Sequence, residues 1–222
     1  MNRFWDWDYA WQVLPTLLSA LRMTFIATLA GMTLAMGLGL GLALMRRSRR
    51  KTVSGPAAVF VEFIRSTPLL VQIFFLFYVL PRFGLSLPPL LTGILALGIH
   101  YSTYASEVYR AGIESVPRGQ WEAAQVLNLG PAQTFWRVIL PQALPPVIPA
   151  LGNYWVAMFK DTPLLSTITV LELLYAAKDL ASESFRYLEP LTLVGLLFLT
   201  LSVLSAQIVR RMEKAFQIRG AL

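Results

Sequence analysis

Long uncharged apolar runs alternate with short charged ones along the chain. Residues 23–45, 83–106, 138–159 and 190–209 contain no Asp, Glu, Lys or Arg. A bilayer core of about 30 Å takes about 20 helical residues at 1.5 Å rise each. Each run is therefore long enough to cross. A fifth, 66–81, is short, but it extends back through 57–64 once Glu62 and Arg65 are tolerated. Those two sit three apart on one helical face and can pair near the membrane surface. The pattern predicts an all-α integral membrane protein forming one transmembrane domain over residues 1–222. Its five spans are expected at about 23–45, 57–81, 88–107, 141–160 and 190–209.

Two intervening segments have patterns of their own. Residues 164–184 mix a short apolar run with Glu172, Lys178, Asp179 and Glu183, which reads as a half-helix followed by an amphipathic helix. Residues 115–141 read as two short helices. Pro117 suits a first helical turn, where its missing N–H costs nothing. Trp121, Ala124, Val126 and Leu127 make one side apolar, and Asn128 stands where a left-handed residue ends a helix. Gly130-Pro131 restarts a second helix over 131–140, and Pro141 is expected to end it. By pattern alone this pair is either a loop folded back on its own spans or a docking element for a cytosolic partner. Pro145, Pro146 and Pro149 predict a broken, path-lining start to the fourth span. Gly37, Gly39 and Gly41 read as small residues for close helix packing.

Composition narrows the class. Hydrophobic residues make up 56% and charged ones 14%, against about 25% charged in soluble domains. That argues against a water-soluble enzyme and a nucleic-acid-binding basic protein, despite the net charge of +7. The basic residues follow topology instead. Arg46, Arg47, Arg49, Arg50 and Lys51 follow the first span; Arg110, Arg118 and Arg137 lie between the third and fourth; Arg210, Arg211, Lys214 and Arg219 follow the fifth. The alternate loops hold Arg82 alone, or Lys160, Lys178 and Arg186 against five acids in 161–189. The positive-inside rule then puts the N-terminus outside and the C-terminus in the cytoplasm. Trp5, Trp7, Tyr9 and Trp11 form an interfacial aromatic belt, and Asp6 and Asp8 beside Arg3 argue against a cleaved signal peptide. There is no Cys and one His, which excludes disulfides, thiolate metal sites and a Cys nucleophile.

The loop carries a resemblance. Glu122-Ala123-Ala124, then Val138, Leu140 and Pro141, resembles the EAA loop of ATP-binding-cassette importer permeases. The chain departs from that pattern at Asn128, where a Gly is usual, and at Val138, where an Ile is usual. Both keep the local physics, left-handed tolerance and a β-branched apolar side chain. Residues 62–72, Glu-Phe-Ile-Arg-Ser-Thr-Pro-Leu-Leu-Val-Gln, resemble the second-span signature of the polar amino-acid uptake branch. So do 107–113, Gly152-Asn153 and 160–165, with Pro163 where that branch commonly has Ser. Trp5-Asp6-Trp7-Asp8, residues 98–104 and Asn128 look most like ectoine/hydroxyectoine permease subunits.

The resemblance implies a multi-pass protein of the bacterial cytoplasmic (inner) membrane that imports polar amino acids or an ectoine-like zwitterion. It also implies a second permease (a copy or a sibling), a separate ATPase subunit using ATP and Mg, and an external solute-binding protein. No phosphate-binding Gly-Lys pair occurs in the sequence, consistent with a subunit that is not itself an enzyme and binds no cofactor. Gly119, Glu122, Ala123, Ala124, Asn128, Leu140 and Pro141 would form the surface that seats on the ATPase, with Glu122 as anchor rather than a solvent-exposed or capping carboxylate. For the solute path, intramembrane polar groups are the candidates: His100, Tyr104, Glu107, Asn153, Lys160 and Asp161. His100, Tyr104 and Glu107 recur at four and three and can share a face. Each has a plainer reading: His100 as a helix–helix tie, Glu107 with Arg110 as a structural pair, Tyr101 and Asn153 as packing groups. Phe74, Tyr78, Tyr154 and Phe159 could offer aromatic faces to a cation. The rival classes are a stand-alone channel or secondary transporter, which would work without ATP, and an intramembrane enzyme, for which one His and no Cys leave little machinery.

Overall fold

The computed structural model describes residues 4–219, with side chains placed through Lys214. Arg3 lies outside the described residues, as does the side chain of Arg219. All regular structure among the described residues is helical. Helix α1 runs Trp7–Arg46, far longer than the uncharged run it contains. Its start is set by Asp6, whose Oδ1 accepts from the backbone N–H groups of Asp8 and Tyr9 at 3.0 and 3.2 Å. These are donors a helix N-terminus leaves open. Pro15 sits inside α1 and leaves one carbonyl without a helical donor.

The second predicted span is not one helix. Helix α2 (Lys51–Arg65) stops at Ser66, and Pro68 caps the next helix, α3 (Leu69–Phe74). Proline pushes the residue before it towards extended backbone, so a continuous helix through 66–68 is disfavoured. The Gln72 side-chain amide donates to Thr67 O at 3.1 Å and Thr67 Oγ1 at 2.8 Å across the break. A π-helical turn (Phe75–Val79) and a 3-10 turn (Leu80–Phe83) follow, and Gly84 ends them at φ +83°.

Helix α4 (Pro89–Ser115) leads to α5 (Arg118–Val126), then to α6 (Pro131–Gln133). Pro141 does not terminate the next helix. A π turn over Thr134–Ile139 shifts the register, and the Leu140 N–H bonds to Phe135 O. Helix α7 (Leu140–Asp161) then continues through Pro145, Pro146 and Pro149. The expected broken start is absent, because a proline's φ suits a helix and each residue forfeits only one hydrogen bond and some straightness. A 3-10 segment (Thr162–Ile168), α8 (Leu173–Ser184) and α9 (Leu188–Arg219) complete the order.

Among the described residues, two helices are long and apolar enough to cross a membrane, Trp7–Arg46 and Leu188–Lys214. The α2–α3 pair makes a third if counted as one interrupted span. Helices α4 and α7 have 27 and 22 residues but are more polar. In α4 four hydroxyl side chains are internal: Thr92, Ser102, Thr103 and Ser106 are buried. Ser102, Thr103 and Ser106 each donate to a carbonyl one turn back at 2.7 Å, which satisfies the hydroxyl without a partner helix.

The chain divides into two compact units. The first comprises residues up to Leu34, Thr67–Gly98 and Trp155–Ser205. Its core joins Val13, Leu17, Leu173, Ala177 and Val194, and the Leu173 N–H donates to Thr24 Oγ1 at 3.2 Å. Arg186 fastens its edge, bonding Asp6 at 3.0 Å and Glu189 at 2.7 Å with its guanidinium over the Tyr9 ring. The Tyr9 N–H and Arg186 hold the Asp6 carboxyl below its usual range.

The second unit comprises Ala35–Ser66, Ile99–Tyr154 and the chain from Ala206. Here Gly39 lets α1 meet α4: a Cβ at that position would fall 2.7 Å from Ala105 Cβ and 2.9 Å from Ser102 O. The same added atom at Gly37 or Gly41 meets nothing within 4 Å, so the packing role read for all three glycines belongs to Gly39. Gly112 likewise admits Val147 and the Ala143 carbonyl.

Candidate functional site

Helix α5 starts at Pro117, its N-cap, and ends in a double hydrogen bond. The Leu129 N–H reaches Ala124 O at 3.0 Å and the Asn128 N–H reaches Gln125 O at 2.9 Å, while Asn128 sits at φ +53°. This is a Schellman end with Asn in the left-handed place usually taken by Gly. The Gln133 side chain then accepts from the Gly130 N–H at 3.4 Å as the chain re-enters a helix.

The helix pair is held from one side. Ile113, Val116, Ile139 and Ala143 form a buried cluster, with Trp121, Phe135 and Val138 packed on it. Ala124 is 2% exposed, Arg47 lies over the Trp121 ring, and the Gln142 amide donates to Gln120 Oε1 at 3.2 Å. The opposite side is open. Gly119, Glu122, Ala123, Asn128 and Pro141 are exposed and Leu140 is half-buried. Glu122 makes no ion pair among the described residues. Val126, Leu127 and Trp136 add exposed apolar surface, at 81%, 71% and 56%. Of the seven candidate seating residues, only Ala124 is fully committed to the chain's own interior.

The solute-path candidates separate into groups. The His100 and Tyr104 rings meet on α4 at 5.2 Å, tilted by 50°, and Tyr104 meets Tyr154 of α7 at 5.6 Å. Tyr101 touches His100, Tyr104 and Tyr154 and is itself buried. Glu107, on the same helix, is a hub. It takes Arg46 at 2.7 Å, Arg110 at 3.0 Å and Arg65 at 3.4 Å, and the Arg65 guanidinium lies over Tyr104. Arg110 continues to Glu114 at 2.8 Å, and Arg47 stands 3.9 Å from the same carboxylate.

The pairing of Glu62 with Arg65 does not form: Glu62 is exposed and Arg65 turns to Glu107. A partly buried carboxylate among three guanidiniums is a stronger electrostatic partner than an exposed one, where water screens the pair. The contribution of Arg46 and Arg65 was not readable locally, since they lie 61 and 42 residues from Glu107. Asn153 is exposed on α7, and Lys160 and Asp161, exposed and half-buried, belong to the other compact unit. Phe159 is buried between Phe25 and Phe198 rather than open to a solute. Among the described residues no cluster of His, Cys, Asp and Glu could hold a metal.

Residues 34–217 match the family of binding-protein-dependent transport system inner membrane components. The chain belongs to this family. It is therefore an all-helical inner-membrane permease component. It is 50% identical over 212 residues to a probable amino-acid ABC transporter permease of Sinorhizobium fredii, covering 96% of this chain and 92% of that one. It is 36% identical to an L-cystine transport system permease of Bacillus subtilis, covering 94% and 92%. A crystal structure of an amino acid ABC transporter with histidines matches at TM-score 0.88 and 33% identity, over 96% of this chain and all of that one.

Proposed function

We propose that this chain is the permease subunit of an ATP-driven, binding-protein-dependent importer of polar amino acids. The substrate class rests on its relatives, whose names specify amino acids and, in one case, L-cystine. An ectoine-like zwitterion is the alternative substrate, suggested by Trp5-Asp6-Trp7-Asp8, residues 98–104 and Asn128. Residues 1–222 act as one permease domain with five spans, the α2–α3 pair counting as one, the N-terminus outside and the C-terminus inside. A separate ATPase binds ATP and Mg, and this chain needs no cofactor of its own.

One observation carries the coupling role: a rigid helix end, clamped by Ala124 and its Schellman bonds, presents Glu122, Ala123, Val126 and Leu127 outward. That surface seats on the ATPase, and nucleotide-driven movement of the ATPase shifts the helix pair between two states. His100, Tyr104, Glu107, Asn153, Lys160 and Asp161 serve the solute path. The Glu107 hub ties the ends of α1, α2 and α4 together beside the aromatic cluster.

The test is reconstitution with the co-purifying ATPase and binding protein, followed by uptake of a panel of polar amino acids and ectoine. Glu122→Ala and Ala123→Asp should leave insertion intact and abolish solute-stimulated ATP hydrolysis. Normal uptake in both variants would remove the coupling assignment. Uptake without ATP or partners would favour a stand-alone transporter instead.

A further inference from the structure

A cavity of about 580 Å³ opens between α1 and α8, wholly inside the first compact unit. Thr16, Arg22 and Ile26 line it from α1, Leu171 from the chain just before α8, and Tyr175 and Asp179 from α8. Arg22 and Ile26 are four apart on α1, and Tyr175 and Asp179 four apart on α8, so each pair shares a helical side. Leu17, Leu173 and Ala177 of the same two helices are fully buried in the core of this unit, so the cavity walls rest on a packed core.

Two charges of opposite sign line this groove. Arg22 and Asp179 are both exposed, and neither makes an ion pair among the described residues. They share a cavity without neutralising one another, which suits a guest carrying both signs. Arg22 is the last charged residue before the uncharged run at 23–45, and Asp179 lies on the amphipathic helix outside the spans. On the topology proposed above, both charges fall at the depth of lipid headgroups. The apolar lining faces the same medium, with Ile26 38% and Leu171 61% exposed.

We propose that this groove binds the headgroup of a zwitterionic phospholipid from the outer leaflet. Arg22 holds the phosphate by charge-assisted hydrogen bonds, and Asp179 takes the ammonium. The Thr16 and Tyr175 hydroxyls face the remaining oxygens, while Ile26 and Leu171 lie against the first part of the acyl chains. A bilayer supplies both charges on one molecule at this depth. A second copy of the chain would have to place an acid and a base separately into the same groove.

The test uses the permease purified with its partners, delipidated and exposed to palmitoyl-oleoyl phosphatidylethanolamine or phosphatidylglycerol. Retained lipid is counted by native mass spectrometry. The wild type should retain phosphatidylethanolamine over phosphatidylglycerol by roughly tenfold, the effect of one charge-assisted hydrogen bond. Arg22→Gln should lose both lipids, and Asp179→Asn should lose only the preference between them. Arg22→Lys should keep phosphate binding, so it and Asp179→Asn decide the matter if Arg22→Gln does not fold. Equal retention across all variants, or a wild-type preference for phosphatidylglycerol, would overturn the proposal. The chain has no Cys, so an Arg22→Cys, Asp179→Cys double variant is a clean probe. A disulfide between two copies would assign the groove to a subunit interface and also overturn it. Lipid retention is read without transport, so failure of uptake leaves this result standing, and the reverse.

Discussion

Two short helices outside the predicted spans have opposite relations to the rest of the chain. Helix α8, of 12 residues, buries Leu173, Ala177 and Ala181 at intervals of four, and its N-cap Glu172 is buried as well. Helix α5, of 9 residues, buries Ala124 alone and is followed by the exposed Leu127. Both are amphipathic by sequence. The first is completed by its own chain, through the core it shares with α1 and α9 and the bond from Leu173 to Thr24. The second keeps its outward side chains for something else. Exposed apolar groups beside a clamped helix end mark an interaction surface, and this contrast supports the docking role for α5.

The sharpest way to break the comparison is to truncate the buried side of α8. Leu173→Ala should destabilise the protein by about 2–5 kcal/mol, as core leucine truncations do, with a lower melting temperature. Leu127→Ala should leave the melting temperature unchanged. Equal losses would mean that α5 is packed as α8 is.

Proton linkage gives the next largest effect. Burial pushes Glu172 up to about 7, against the Leu174 and Tyr175 N–H groups and Lys178, which act to lower it. A carboxyl whose folded value is raised binds its proton more tightly when folded. Its stabilising effect is therefore present below about 4.5 and lost as pH rises through 7. The difference is on the order of 3 kcal/mol. Glu172→Gln should flatten the decline in stability measured between pH 5 and 8. An unchanged slope would place the titration elsewhere.

On the other side of the comparison, Val126→Asp with Leu127→Asp should weaken ATPase docking by roughly 30-fold, a typical hot-spot loss, at unchanged stability. Pull-down and solute-stimulated ATPase would read it. Smallest is Asn128→Gly, which should stabilise the helix end by less than about 1 kcal/mol and leave coupling intact. Asn128→Val should do the opposite, because a β-branched residue resists positive φ.

Much of this was legible locally. The first short helix, the left-handed Asn128 and the Glu107–Arg110 pair followed from short spacings, and the structure has all three, whereas the second short helix expected over 131–140 runs on through the π turn into α7. The largest errors in the helix boundaries concern proline. Pro68 splits the second predicted span, while Pro141, Pro145, Pro146 and Pro149 interrupt nothing. A proline always removes the same N–H. Whether the helix stops depends on whether the residue before it takes extended backbone and whether a register shift, such as the π turn at Thr134–Ile139, absorbs the loss.

The residue pattern by itself determined an all-helical membrane protein, because uncharged runs of spanning length have few other stable states in or near lipid. It also determined the form of the α5 turn, since hydrogen bonds over three to five residues are written in adjacent side chains. Only the tertiary structure decided which glycine is a contact, which arginines meet Glu107, and that Arg22 and Asp179 share a groove. Those relations join residues 42 to 157 positions apart, and close approach at that separation depends on how helices pack, which no local period encodes.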